Sequence, residues 1–297
     1  MQALEWLLEE ANPAVRARAL AELCGMPYEH PELIKARQAV VTWLAAARDL
    51  GWMSKKGLTV TYSLTALAEA GLTREDVPIG SVVDRVLAEP FDAGCGDMMI
   101  LRALVMLGYG DDPRLRSRLT QAVETQLSDG GWLCLHRLRK LKRVPKSCIK
   151  VAMHGLLLAG ELQKRGSSLD GVDELVAYFA KRRLFYRTDD PTRLVLDARP
   201  GWRTIDVFFP MEVMRVGLPV FLEALATLGV GDMPECQEAW GLLDAKTDSL
   251  GRVVLEGTLS KSYLPKERVG RPGKWPTLYA LLARKARGED RRGDFEC

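Results

Sequence analysis

Apolar residues recur three or four positions apart along most of the chain, which is the spacing of one face of an α-helix. The pattern is clear in TALAEAGL, MMILRALVMLGYG and IKVAMHGLLLAGEL, and again in FLEALATLGVG and TLYALLARKA. Alternating apolar and polar positions are scarce, and residues 192–210 are the one short candidate for extended chain. The pattern therefore predicts an all-α fold.

The helical pattern also repeats. Residues 103–132 align with residues 224–252, and each copy has an apolar helix, a Leu-Gly stop, a Gly-Asp-x-Pro turn and a second helix. Gly108 and Gly229 are expected to take the left-handed backbone conformation that ends a helix. Repeated helix pairs must bury their apolar faces against each other, so we expect them to stack, either as an open solenoid or as a closed ring.

The beginning of the chain has the pattern of a HEAT-type repeat helix. In NPAVRARALAELCGMP, Asn12 can cap a helix, Pro13 suits its first turn and Gly25 ends it. We therefore expect one α-helical domain over residues 1–297, with residues 1–57 as an N-terminal extension packed on it. Residues 288–297 are predicted to be a disordered tail.

Composition and charge exclude several classes of protein. The chain is 47% hydrophobic and 27% charged with a net charge of +3, so it should fold, and it is not a polyanion-coating protein by total charge. The start has no signal-peptide pattern and no apolar run is long enough to span a membrane, which predicts a cytoplasmic protein without a membrane span. The six cysteines are then expected to be reduced thiols or metal ligands, with Cys24 as a small buried apolar side chain.

QLSDGGW, at residues 126–132, is the strongest motif in the chain. It resembles the Q-x-x-D-G-x-W motif of squalene and oxidosqualene cyclases, whose shorter D-G-G-aromatic form recurs in the β subunits of protein prenyltransferases. Asp and Gly suit a tight turn, and the tryptophan suits packing between helices. The resemblance covers roughly residues 60–285 as repeats and implies an α/α toroid whose inner helices begin on one face. That face would favour anions.

The chemistry of the known families is incomplete in this sequence. The D-x-D-D acid that squalene-type cyclases use to protonate an alkene is absent, so the chain is not expected to be a cyclase of that type. Prenyltransferases hold a thiolate on zinc with a D-x-C pair and a later histidine, but Lys146 stands where the aspartate is needed. The resemblance leaves a prenyltransferase-like activity open, and the sequence assigns no catalytic residue.

Three cysteines and one histidine are expected near the starts of successive inner helices. Cys95 begins one of these helices, Cys134 and His136 follow the tryptophan turn, and Cys148 begins the next. Three sulfurs and one imidazole make a complete tetrahedral zinc set, which would staple the loop as a closed structural site. The alternative is a set of buried thiols beside a histidine in a basic loop.

Two basic loops are expected at the mouth of the toroid. One precedes Cys148 and the other lies just before the last helix. Lys and Arg beside helix N-termini can hold a diphosphate, a phosphate or a nucleic acid, although a solvated loop accounts for the charge equally well. The predicted ligand-binding residues are Arg139, Arg143, Lys146, Arg271 and Lys274.

Two functions remain open from the sequence. The first is a binder of an amphiphilic anion such as an isoprenoid diphosphate, held in a central cavity with a basic mouth and transferred if the protein is an enzyme. The second is a non-catalytic scaffold, stabilised by zinc, that binds a protein or nucleic acid partner.

Overall fold

A computed structural model describes residues 2–47, 57–134, 147–195, 216–256 and 267–289. Twelve α-helices lie within these ranges. They are α1 (Gln2–Leu7), α2 (Pro13–Arg18), α3 (Pro31–Ala47), α4 (Leu58–Glu69), α5 (Gly80–Ala88), α6 (Cys95–Met106), α7 (Pro113–Glu124), α8 (Ile149–Lys164), α9 (Val172–Ala180), α10 (Leu218–Thr227), α11 (Gln237–Ala245) and α12 (Lys274–Ala286). A π-helix, Ala19–Leu23, continues α2, and a 3-10 turn, Pro234–Cys236, precedes α11.

The all-α prediction is confirmed. Extended pairing in the described ranges is limited to isolated antiparallel bridges, one of them between Tyr186 and Leu194 at the start of the segment predicted to be extended. In the same ranges no helix is both long enough and apolar enough to cross a bilayer.

The two copies of the predicted repeat form matching helix pairs. α6 and α7 make up the first copy, and α10 and α11 make up the second. Gly108 and Gly229 follow the first helix of each pair with φ values of +89° and +76°, which is the predicted left-handed stop. Near the chain start, the backbone N–H of Val15 donates to the Asn12 side chain at 3.3 Å and Pro13 opens α2, so the predicted cap is also confirmed.

From α4 onward, every second helix along the chain packs beside the next member of the same series. α4 packs on α6, α6 on α8, α8 on α10 and α10 on α12, while α12 also contacts α1 and α2. α7, α9 and α11 pack on α6, α8 and α10 respectively. The first series is the more deeply buried, as α8 shows with 13 buried residues out of 16. The apolar faces of these helices form one continuous core.

The QLSDGGW turn joins three parts of this core. Trp132 is 1% exposed, and its indole N–H donates to the carbonyl of Ala122 at 2.7 Å. Gly130 has a φ of +89°, and a Cβ atom there would lie 2.0 Å from the carbonyl oxygen of Glu174. Gln126 donates to the carbonyls of Gly130 and Gly171 at 2.8 and 3.0 Å. The predicted turn and packing tryptophan are both confirmed.

The cysteine prediction holds in part. Cys95, Cys134, Cys148 and Cys236 are free thiols. Cys24 is half-buried and disulfide-bonded, so the expectation of a reduced, buried thiol at this position is wrong.

Candidate functional site

Three of the four predicted metal ligands come together at one end of the inner helices. Cys95 is the first residue of α6, and Cys148 caps the N-terminus of α8, which packs beside α6. The backbone N–H of Cys148 donates to the carbonyl of Trp132 at 2.7 Å, which fixes the start of α8 against the tryptophan turn. Cys95 and Cys148 therefore lie at the starts of neighbouring helices, and Cys134 follows Trp132 by two residues. His136 is outside the described residues.

Crowding controls the ionisation of Cys95. The hydrogen bond to Cys148, burial and the neighbouring sulfurs all raise the pKa of the Cys95 thiol, and Lys150 opposes this effect. No group of three or more His, Cys, Asp or Glu side chains in the described ranges is arranged to hold a metal ion. The zinc site therefore stays a prediction.

The predicted ligand-binding cations have different surroundings. Arg139, Arg143 and Lys146 lie outside the described residues. Arg271 is exposed in the turn before α12. Lys274 is 5% exposed, and its ammonium donates to the carbonyl of Trp6 at 2.5 Å and to the Glu9 carboxylate at 3.0 Å. Lys274 thus ties α12 to the N-terminal segment.

A cluster of charged side chains, most of them buried, lies where the inner helices meet, and the sequence pattern did not predict it. We call it the charged centre; its members come from α2, the π-helix, α4, α6, α8, α10 and α12. They are Arg18, Glu22, Glu69, Arg102, Glu161, Lys164, Glu223 and Tyr279.

Glu69 is the most enclosed member of the charged centre, with 0% exposure. Its carboxylate accepts from Arg18 at 3.0 Å, from Arg102 at 2.5 Å and from the Tyr279 hydroxyl. Arg18 also donates to that hydroxyl at 2.6 Å, and its guanidinium carbon lies 4.7 Å from the centroid of the Tyr279 ring. These contacts connect α2, α4, α6 and α12.

The other half of the charged centre surrounds Lys164. Its ammonium pairs with Glu223, with Glu161 at 3.4 Å and with Glu22 at 3.5 Å. Glu161 also accepts from Arg165 at 2.7 Å and from Arg102 at 3.5 Å, which joins the two halves. Buried charges are tolerated only when paired, and each acid here has at least one basic partner.

The pKa values in this half follow from the competition between burial and pairing. Burial opposes ionisation of Glu22 and Glu161, but the cations around them lower the pKa of both carboxyl groups. Burial also disfavours the charged form of Lys164, yet its acidic neighbours raise the pKa of its ammonium. For Glu223, burial and the nearby Glu161 outweigh Lys164 and raise the pKa.

A cavity of about 340 Å³ opens on the charged centre at the C-terminal ends of α2, α4, α6 and α8. Small and apolar residues form part of its wall, namely Ala17, Ala21, Ala68, Leu72 and Met106. Gly71 and Thr73 also line it, together with four basic and two acidic side chains: Arg18, Arg37, Lys164, Arg165, Glu22 and Glu161. The lining thus carries two more positive than negative charges. We call this cavity the basic pocket; it is at the end of the inner helices opposite to Cys95 and Cys148.

Arg37, which lines the basic pocket, has N–H donors that make no hydrogen bond within the described ranges. Its guanidinium carbon lies 4.1 Å from the centroid of the Tyr28 ring. Its Nε and Nη1 atoms are buried, and no hydrogen-bond acceptor for either exists in the described part of the chain. A second cavity, of about 620 Å³, is also lined by Arg37. Buried donors of a cation are costly to leave unpaired, so this side chain is placed to receive an acceptor.

Comparison with known proteins adds a likeness of fold. No family model and no curated protein matches the chain. A solved structure of a polysaccharide lyase is similar, with a TM-score of 0.51 over 94% of this chain and 91% of that chain. Since the two sequences are only 10% identical, the similarity concerns the helical architecture alone.

Proposed function

We propose that the protein binds a small amphiphilic anion in the basic pocket. Arg37 is the observation that carries this proposal, because its side chain lines the basic pocket and two of its buried N–H groups have no acceptor in the described ranges. The acids in the pocket are already engaged: Glu22 accepts from Arg18 at 2.5 and 3.0 Å, and Glu161 accepts from Arg165 at 2.7 Å. A ligand carboxylate or phosphate supplies the missing acceptor for Arg37.

The shape of the basic pocket supports a ligand with an apolar part. The alanines of α2, the π-helix and α4, together with Leu72 and Met106, offer an apolar wall beside the cations. A volume of about 340 Å³ is at the lower end of the size range of small-molecule sites, roughly 300–1,000 Å³. An isoprenoid diphosphate of short chain length combines such an apolar part with such a head group.

The toroid architecture belongs to the same proposal. We infer that the inner helices close into a ring, since α12 contacts α2 and Tyr279 hydrogen-bonds to Arg18 and Glu69. In this arrangement the charged centre fills the axis at one end of the ring, and the basic pocket opens beside it. The anion then binds at the C-terminal ends of the helices, where basic side chains offset the helix dipoles.

Thermal unfolding with matched ligands tests the proposal. Geranyl diphosphate should raise the melting temperature, because a ligand that binds only the folded protein stabilises it. Inorganic diphosphate should give a smaller rise, since it cannot use the apolar wall. Arg37→Ala should weaken binding by roughly tenfold or more, the loss expected for a charge-assisted hydrogen bond of about 1.5–3 kcal/mol.

Arg116→Ala is the control, since Arg116 is an exposed residue of α7 far from the pocket lining. It should leave both melting shifts unchanged. Equal shifts with the two diphosphates would show that the pocket binds only the anionic group and that the apolar wall contributes nothing. Absence of a shift with either diphosphate at saturating concentration would refute the proposal.

A further inference from the structure

Tyr28 is placed to orient the side chain on which the proposed anion binding depends. The Nε and Nη1 atoms of Arg37 have no acceptor in the described ranges, so no hydrogen bond at these two atoms fixes the guanidinium. The guanidinium carbon of Arg37 lies over the Tyr28 ring, 4.1 Å from its centroid. The electron-rich face of an aromatic ring attracts a cation at this distance. The ring therefore restricts how the guanidinium can turn.

Hydrogen bonds hold the Tyr28 ring in place. Tyr28 lies in the segment between the π-helix and α3, and its hydroxyl donates to the Asp76 carboxylate at 3.1 Å. That carboxylate also accepts from the backbone N–H and the hydroxyl of Thr73, at 2.7 and 3.0 Å. Thr73 itself lines the basic pocket. A connected series of contacts thus runs from the pocket wall through Asp76 and Tyr28 to Arg37.

The turn that carries Asp76 is fixed to the inner helices. The backbone N–H of Arg74 donates to the carbonyl of Leu107 at 2.8 Å, and Leu107 caps the C-terminus of α6. The support of the Tyr28 ring therefore has a fixed position relative to α6, a helix that also contributes to the wall of the basic pocket. Through this ring, Arg37 of α3 is held relative to the pocket and not only by its own helix.

We propose that Tyr28 is a positioning residue for anion binding: its ring holds the Arg37 guanidinium in the orientation that receives the anionic group of the ligand. This inference rests on the proposed function of the basic pocket. Within the described ranges Tyr28 lines the second cavity and not the basic pocket, so it acts through Arg37. Without the ring, the Arg37 side chain would adopt more orientations, and a ligand would have to order it on binding. That ordering lowers the affinity.

Calorimetric titration with geranyl diphosphate tests this role. Tyr28→Leu removes the ring and should weaken binding by roughly two- to fivefold, the fold-change that corresponds to a cation–π contact at a partly exposed site. Tyr28→Phe keeps the ring and loses only the hydrogen bond to Asp76, so it should retain most of the affinity. Because Tyr28 is 38% exposed, the urea midpoint of both variants should stay close to that of the unmodified protein.

Tyr186→Leu is the matched control. The Arg183 guanidinium carbon lies 4.6 Å from the centroid of the Tyr186 ring, and the Tyr186 hydroxyl donates to the Glu238 carboxylate at 2.5 Å. Since none of these three residues lines the basic pocket, this substitution should leave the dissociation constant unchanged. An equal loss of affinity in the two leucine variants would assign the effect to a general loosening of the fold and would overturn the proposal.

The orientation of Arg37 can also be observed without a ligand by nuclear magnetic resonance. In isotope-labelled protein, the Nε–H signal of Arg37 is the one that Arg37→Ala removes, and the current of the Tyr28 ring should shift it upfield. Tyr28→Leu should abolish that shift, whereas Tyr28→Phe should keep it.

The outcomes separate the positioning role from the anion site. If the unmodified protein binds geranyl diphosphate and Tyr28→Leu binds it equally well, the positioning role is wrong while the anion site stands. The same conclusion follows if Tyr28→Phe loses as much affinity as Tyr28→Leu, or if the Arg37 signal does not respond to Tyr28→Leu. If the unmodified protein binds no diphosphate, the proposed function is refuted, and the positioning role is refuted with it.

Discussion

At the residue scale, the charged centre stabilises the fold only as a complete set. Glu69 accepts hydrogen bonds from two guanidinium groups and one hydroxyl, all of them buried. Removing charges from water is costly, and mutual attraction repays that cost only while every partner is present. The loss of one member therefore lowers the free energy of unfolding, because the remaining buried charges lose a partner.

Glu69→Gln should lower the free energy of unfolding by about 3–5 kcal/mol, because Arg18 and Arg102 would remain buried beside a neutral amide. Urea unfolding followed by circular dichroism measures this loss. Glu75→Gln is the control: its side chain is 70% exposed and pairs with Arg74 at 3.5 Å, so its effect should stay within roughly 0.5 kcal/mol. Equal effects of the two substitutions would show that the charged centre is not desolvated.

At the element scale, helix contacts are set by single small residues. Gly155 lies in the interior of α8, and a Cβ atom there would come within 2.5 Å of the Trp132 ring. The missing side chain lets the tryptophan of the QLSDGGW turn approach the helix closely. Gly241, in the interior of α11, is exposed and has open space where its Cβ would be.

The same substitution at these two glycines should have opposite effects. Gly155→Ala should destabilise the protein by about 1–3 kcal/mol through overpacking. Gly241→Ala should stabilise it by about 0.5–1 kcal/mol, since alanine favours a helix and restricts the unfolded chain. Melting temperatures of the two variants, compared with that of the unmodified protein, test both expectations. A stabilising Gly155→Ala would show that Trp132 is free to move aside.

Local sequence was sufficient for the helices and turns but not for the charged centre. The Gly108 and Gly229 stops, the Asn12 cap and the packing of Trp132 depend on residues close together in the chain, so their patterns could be recognised. Arg18 and Glu69 meet across 51 positions and Arg102 and Glu161 across 59. In the sequence, these charged residues only interrupt the apolar pattern of a helix face. Their ion-pair partners can be identified only once the packing of the helices is known.

The predicted cysteine site stands between these cases. The order of the helices was enough to expect Cys95, Cys134 and Cys148 at one end, and the structure places them there. The basic pocket was not expected, since its lining comes from α2, α3, α4, α6 and α8. Arg37 has no distinguishing sequence pattern around it, and only the absence of an acceptor in the described ranges marks it.

At the scale of the whole molecule, the charged centre makes stability depend on pH. The pKa values of Glu22 and Glu161 are lowered in the folded protein, so the unfolded chain binds protons first as the pH falls. Their contribution is present above the pKa of a free glutamate, about 4.3, and is lost below it. Glu223 has a raised pKa and acts in the opposite direction, above the pKa of a free glutamate, so it does not offset the loss below it.

The urea midpoint should therefore fall as the pH decreases from about 5 to about 2. Glu161→Gln should be less stable at neutral pH and should show a shallower decline, since one of the responsible carboxyl groups is gone. Circular dichroism at a series of pH values measures both slopes. A variant with an unchanged slope would assign the acid sensitivity to carboxyl groups outside the charged centre.

The bond between Arg18 and Tyr279 also has a consequence for synthesis. These residues are 261 positions apart, and Tyr279 reaches both Arg18 and Glu69 from the last helix of the described chain. A ribosome makes the chain from its N-terminus, so α2, α4 and α6 are exposed long before α12 exists. During that interval two arginines and a glutamate must stay in water rather than in a core. The early helices α2, α4 and α6 can therefore complete their packing only after α12 has been synthesised.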